Sequence, residues 1–171
     1  MPGPTPPDGF AQFVAERSAP LLRSAWLLTG DAARAEDLLQ TSLASAWRRW
    51  SQIDDPDAYV RRVLFTTYLS WWRRRWRSEY PASSPPEIVA PGTGDLATET
   101  ATRDAVRRAL AKLSPQQRAV VVLRYLEDLS VADTAAILGC STGTVKVQAG
   151  RALAHLRGDP HLQPIEVEAS P

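Results

Sequence analysis

Along most of the chain, apolar residues return every three or four positions, the period of a helix with one buried face. Phe10, Phe13, Val14, Leu21, Leu22, Trp26 and Leu27 predict one or two short helices, with Pro20 expected to kink or restart the run. Thr29-Gly30-Asp31 reads as a stop followed by an N-cap, and a second helix then runs to about Trp50. Its buried stripe is Ala35, Leu39, Leu43, Ala46 and Trp50. Asp55-Pro56, a cap followed by proline at the first helical position, opens a third helix that reaches about Arg77. Val60, Val63, Leu64, Thr67 and Trp71 form its expected core face. The period resumes near Thr102 with Val106, Leu110 and Leu113. Ser114-Pro115-Gln116-Gln117 caps a further helix, expected to bury Val120, Val121, Leu123 and Leu126. No run alternates as a strand would, so the expected fold is all-α, in two small helical modules at 10–77 and 103–157.

Between the modules, residues 78–102 hold Pro81, Pro85, Pro86, Pro91, Gly92 and Gly94, the composition of a flexible linker. Fully extended, such a spacer reaches roughly 80 Å; as a coil its ends lie about 28 Å apart. Two modules on this tether are expected to reach separate sites. Residues 158–171 read as a loose acidic tail.

The most specific local pattern lies at 130–157. A short helix ends near Leu138, and Gly139 is the residue able to take positive φ at its C-terminus. Ser141 or Thr142 then caps a second helix. Small Ala135 lets the two approach closely, and Val145 faces back onto the first helix. Lys146, Gln148 and Arg151 are left pointing outward. This is the pattern of a helix-turn-helix, whose second helix enters the DNA major groove; an ordinary helix hairpin has the same spacing.

Charge sharpens the choice. The net charge of +1 conceals two basic blocks. Residues 47–77 carry eight Arg against three Asp, and residues 103–158 carry nine basic against four acidic residues. The spacer carries four acids and no base. Two basic blocks point to two nucleic-acid contacts. The Arg preference suits phosphate forks and base stacking, and equally a GC-rich genome. With a single cysteine, Cys140, and two histidines, a disulfide or a Cys/His zinc site is not expected. No acid/base pair, nucleophile triad, phosphate loop or metal cluster appears, so neither an enzyme nor a cofactor is expected. The N-terminus lacks the apolar run of a signal peptide, and no stretch reaches membrane-spanning length. A soluble, cytoplasmic protein without membrane contact is the expectation.

The third helix closes on Trp71-Trp72-Arg73-Arg74-Arg75-Trp76-Arg77. Interleaved Arg and Trp suit single-stranded nucleic acid, because Arg neutralises phosphate while indoles stack on bases. Trp72, Arg75 and Trp76 continue an outer stripe with Arg61, Phe65 and Tyr68, costly to expose without a partner. The alternative is that the tryptophans pack a small core and the arginines solvate its end. On the second helix, Glu36, Asp37 and Gln40 project opposite the buried stripe. Acids there complement the helix dipole; the same face can also dock a basic protein helix.

Taken together, Thr29-Gly30-Asp31, Ala35-Glu36-Asp37-Leu38-Leu39-Gln40, Tyr59-Val60-Arg61-Arg62 and the Arg/Trp run resemble region 2 of extracytoplasmic-function (ECF, group 4) sigma factors of the sigma-70 family. Leu113-Ser114-Pro115-Gln116-Gln117-Arg118, Leu123-Arg124-Tyr125 and the run Leu138 to Lys146 resemble region 4. The Trp/Arg-rich end of region 2 is most similar to the SigE-like actinobacterial subgroup.

The resemblance implies a subunit that binds core RNA polymerase and directs promoter-specific initiation. Region 2 would bind the β′ clamp helices through Glu36, Asp37 and Gln40, and would recognise and melt the −10 element. Trp50, Tyr59, Phe65, Trp72 and Trp76 would hold bases, with Arg61, Arg62, Arg73, Arg74 and Arg75 on phosphates; the 50–57 loop is where a flipped base would lodge. Region 4 would touch the β flap and bind duplex −35 DNA through Arg124, Ser141, Thr142, Thr144, Lys146, Val147, Gln148 and Arg151. An anti-sigma factor is a further partner the resemblance admits. Val147 and Gly150 depart from the family pattern, which usually has polar or bulky residues there, so no −35 consensus is borrowed. Two other readings stay open: a stand-alone helix-turn-helix regulator, and an adaptor that binds polymerase without reading DNA.

Overall fold

The computed structural model describes the backbone of residues 3–77 and 96–160, and the side chains of residues 3–75 and 100–160. The helices follow in the order α1 (Phe10–Thr29), α2 (Ala32–Arg49), α3 (Pro56–Arg77), α4 (Leu96–Ala111), α5 (Pro115–Val121), α6 (Val131–Leu138) and α7 (Thr142–Arg157). A 3₁₀ turn at Trp50–Gln52 ends α2, and a wide π turn at Val122–Leu126 ends α5. No strand occurs among the described residues.

Local chemistry sets the boundaries. Gly30 adopts φ 67° and returns its N–H to the Trp26 carbonyl at 2.7 Å, and the Asp31 carboxylate accepts the Arg34 N–H at 2.9 Å. Asp55 accepts from the Ala58 N–H at 3.1 Å at the start of α3. Ser114 and Gln117 form a reciprocal capping box, each bond 3.2 Å long. Gly139, at φ 65°, ends α6, and Ser141 caps α7 by accepting the Thr144 N–H at 3.1 Å. Val145 is buried with Val120, Ala135 and Ala149, so the α6–α7 pair closes as a helix-turn-helix.

Four expectations are corrected. First, α1 runs unbroken through Pro20. Phe10 before the proline and Leu21, Ala25 and Leu28 after it lie in one core, and this packing outweighs one missing backbone hydrogen bond. Second, α4 begins at Leu96, inside the stretch expected to be linker; residues 78–95 and the tail after 160 lie outside the described residues. Third, Leu126 is 50% exposed, because the π turn holds one residue more than an α turn and shifts the helical phase. Fourth, the tail begins anchored: Asp159 is buried and pairs with Lys112 at 2.9 Å.

The two modules also pack against each other. Phe65 and Tyr68, assigned above to an outward stripe, are 0% and 1% exposed. They share a core with Leu28 of α1 and with Ala119, Val122 and Leu123 of the second module. α3 therefore buries two faces, one against α1 and α2 and one against the α5–α6 side. Val63, Thr67 and Trp71 are half-buried. Arg118 of α5 crosses this junction. It donates to the Leu110 carbonyl at 2.8 Å and to the Leu28 carbonyl, in the last turns of α4 and α1. Those carbonyls have no partner inside their own helices and carry the negative end of the helix dipole. Burial draws the Arg118 guanidinium below its ordinary pKa and pushes the Tyr68 phenol up; the interaction between the two partly offsets both effects.

Two outcomes are expected in urea titrations. Arg118→Met leaves two buried carbonyls without their charged donor and should cost about 1.5–3 kcal/mol; a loss under about 0.5 kcal/mol would contradict the bridging role assigned from this geometry. Gly139→Ala meets no neighbouring atom. Its cost is the left-handed backbone alone, about 1–2 kcal/mol, and an unchanged midpoint would contradict that.

Candidate nucleic-acid interface

α3 and the turn before it form the first part of the site. Arg49, Gln52, Ile53, Asp54, Asp55 and Tyr59 line an open recess of about 260 Å³. It exists because the 3₁₀ turn carries the chain away from α2 before Asp55 caps α3. Tyr59 forms its aromatic wall, with Asp54, Asp55, Gln52 and Arg49 supplying polar groups. Of these residues only Tyr59 is among the expected base contacts, although the pocket itself is expected in the 50–57 loop. The proline cap and the acids before it were the available signal.

Trp50 does not line this recess. Its ring meets Phe10 edge-on at 5.0 Å, lies 5.3 Å from Phe13, and donates its indole N–H to the Asp8 carbonyl at 2.8 Å. It is a packing residue that ties the chain start to α2, which corrects its expected availability for base stacking. Phe65 is likewise enclosed. Arg62, Arg73 and Arg74 lie on the exposed side of α3, and the Arg75 guanidinium sits over the Trp72 ring at 5.6 Å. The Trp76 side chain falls outside the described residues. Arg61 is turned inward, 3.1 Å from Asp57 and 2.6 Å from Glu127.

α7 forms the second part. Its buried stripe is Val145, Ala149 and Ala152. Lys146, Val147, Gly150 and Arg151 occupy the opposite, exposed face, while Gln148 and Thr144 are half-buried at its edge. Ser141 and Thr142 sit exposed at the helix N-terminus, where backbone N–H groups favour phosphate. Val147 is 51% exposed, an apolar side chain on a basic face. Packing gives no reason for Gly150, since an added Cβ there meets nothing. Arg124 is engaged within its own turn: it donates to the Leu129 carbonyl and lies over the Tyr125 ring at 5.6 Å.

The third surface is α2. Glu36, Asp37 and Gln40 are all exposed on it. Gln40 also borders an open groove of about 400 Å³ floored by Phe10, Val14, Leu43 and Trp47. The face thus combines acids and an amide with an adjoining apolar cleft. Among the described residues no cluster of His, Cys, Asp or Glu could hold a metal, and no helix is long and apolar enough to cross a membrane.

The chain resembles known proteins over most of its length. The family model for Sigma-70, region 4 matches residues 103–156. The RNA polymerase sigma-E factor of Streptomyces coelicolor is 45% identical over 151 residues, covering 86% of this chain and 84% of that protein. The ECF RNA polymerase sigma factor SigL of Mycobacterium tuberculosis is 36% identical over 147 residues, 83% of each. Among solved structures, the sigma factor RpoE of Bartonella quintana, in complex with the anti-sigma factor NepR, aligns at a TM-score of 0.66 and 29% identity over 86% of this chain and 94% of that one. With these similarities added to the helix-turn-helix and the Arg/Trp-rich helix, the chain belongs to the extracytoplasmic-function sigma factors of RNA polymerase.

Proposed function

We propose that three surfaces divide the work of this sigma factor: the α2 face docks core polymerase, the α3 recess takes a −10 base, and α7 reads the −35 duplex. As a sigma factor it binds core RNA polymerase and directs promoter-specific initiation. The observation that carries the division is the exposure pattern. Glu36, Asp37 and Gln40 on α2, and Lys146, Val147 and Arg151 on α7, face solvent while the stripes behind them are buried.

The docking partner is the β′ clamp helices; the acids and amide of α2 suit a basic protein helix. At the −10 element, unstacking a base costs a few kcal/mol. Tyr59 offers a stacking wall, and the acids and amide of the recess offer acceptors for a base edge. Arg62, Arg73 and Arg74 neutralise phosphates. In the major groove, Lys146 and Arg151 reach guanine edges or phosphates, and Val147 suits a thymine methyl. The second module also touches the β flap. Region 2 is assigned to 10–77 and region 4 to 103–157, with the first helix of the second module, α4, extending back to Leu96. The chain catalyses nothing itself; polymerase supplies the chemistry, in the cytoplasm. The complex of the Bartonella RpoE with NepR supports an anti-sigma factor as a further partner for this chain.

Reconstitution with core polymerase and transcription from a genomic fragment library tests the reading. Specific initiation is expected with core enzyme, and weak duplex binding without it. Tight specific duplex binding by the chain alone, with no initiation, would instead indicate a stand-alone regulator. Asp37→Ala and Gln40→Ala should each weaken core affinity about fivefold or more with folding intact. Lys146→Ala should weaken promoter use, tenfold being about 1.4 kcal/mol. Unchanged core affinity in both α2 variants would remove that face from the interface.

A further inference from the structure

The junction between the modules contains a charge network that the packing alone does not require. Arg17 of α1 lies 2.6 Å from Asp57, Asp57 lies 3.1 Å from Arg61, and Arg61 lies 2.6 Å from Glu127 of the second module. The Ser24 hydroxyl donates to the other Glu127 oxygen at 2.6 Å. Arg61 and Glu127 are mostly enclosed, with side chains 18% and 13% exposed. Their facing atoms are close but do not meet hydrogen-bond geometry: Arg61 Nε and Glu127 Oε2 each lack a directed partner. The pair is therefore a Coulombic contact, and removing one partner leaves the other charge enclosed and uncompensated, which favours separation of the two modules.

Glu127 points inward because of an unusual backbone. The π turn brings its N–H to the Val122 carbonyl at 2.9 Å. Asp128 then takes φ 54°, the one non-glycine residue described with positive φ, and the Leu129 N–H reaches the Leu123 carbonyl at 2.9 Å. A π turn and a left-handed residue in succession are costly, and such features persist where the surroundings hold them. Here they aim one carboxylate at one guanidinium on the other module.

We propose that Glu127 is an intramolecular clasp: it occupies Arg61 in the isolated chain and excludes a nucleic-acid phosphate from that guanidinium. The phosphate assignment rests on the function proposed above. The Nε edge of Arg61 faces Glu127 and its Nη1 faces Asp57, so a phosphate reaches that edge only after the second module swings away. Without Glu127 the remaining network, Arg17, Asp57 and Arg61, has a net charge of +1 and is ready for an anion. Opening also uncovers Phe65 and Tyr68, which the second module covers. Apparent affinity for nucleic acid then scales with the open fraction of the chain.

The test uses the full chain without polymerase, a fluorescein-labelled dT20 strand as the phosphate probe, and small-angle scattering for the radius of gyration. Glu127→Gln keeps an acceptor for Ser24 and removes the charge. It should expand the chain and raise dT20 affinity about fivefold or more. Asp128→Asn removes an equal charge one residue away, in a left-handed position that Asn tolerates, and should do neither. Arg61→Gln should expand the chain without the gain in affinity. If circular dichroism shows that Glu127→Gln has lost helix, Ser24→Ala decides by a smaller shift in the same direction. Equal affinity gains from Glu127→Gln and Asp128→Asn, or an unchanged radius in the folded Glu127→Gln or Ser24→Ala chain, would overturn the clasp. Neither readout involves core enzyme, so transcription by the wild-type chain reports separately on the function.

Discussion

The arrangement of the molecule depends on Arg118. A guanidinium can be buried only where acceptors replace its water, and here the acceptors are the ends of α1 and α4. One of those helices belongs to each module. A single cation therefore bonds a terminal carbonyl of each helix and ties the halves of the chain together. Once α5 is held there, the π turn after it lies over α3, Val122 and Leu123 reach Phe65 and Tyr68, and Glu127 reaches Arg61. The junction is apolar at its centre and charged at its rim.

On the function proposed above, this closed arrangement does not serve both promoter contacts at once. α3 and α6 pack directly on each other, and packed helices lie about 8–10 Å apart. The names of the −10 and −35 elements put them about 25 base pairs apart, roughly 85 Å of B-DNA. On that function the chain must open to engage both. The α2 face and the outer face of α7 are exposed in the closed form, so under the proposed division docking on polymerase would come before opening, and the α3 surface around Arg61 and Phe65 would be uncovered after it.

Local features were legible in the sequence because their causes are local. Gly30 and Asp31, the Ser114–Gln117 box, and Gly139 with Ser141 each act within four residues, and each stands where the pattern put it. The helix-turn-helix followed, since Ala135 and Val145 need only the turn between them to meet. The misassigned residues depend on partners distant in sequence. Phe65 and Tyr68 read as an outer stripe because periodicity finds one buried face, and the residues covering the second face, Ala119, Val122 and Leu123, come more than fifty residues later. Trp50 read as a stacking residue by composition, while Phe10 and Asp8 claim it from the chain start. Leu126 was lost to a π turn, which has no signature in the hydrophobic pattern. Arg61 was recognised as cationic, but its present partner, Glu127, lies in a segment read only as the end of a helix.

The chain alone is closed, and on the function proposed above core polymerase opens it. Single-molecule energy transfer measures this directly, with dyes on Glu16→Cys and His155→Cys, both exposed positions, in a Cys140→Ser background. One high-transfer population is expected for the chain alone, converting to a low-transfer population when core RNA polymerase is added. Low transfer from the outset, or high transfer that persists in the complex with core enzyme, would contradict it.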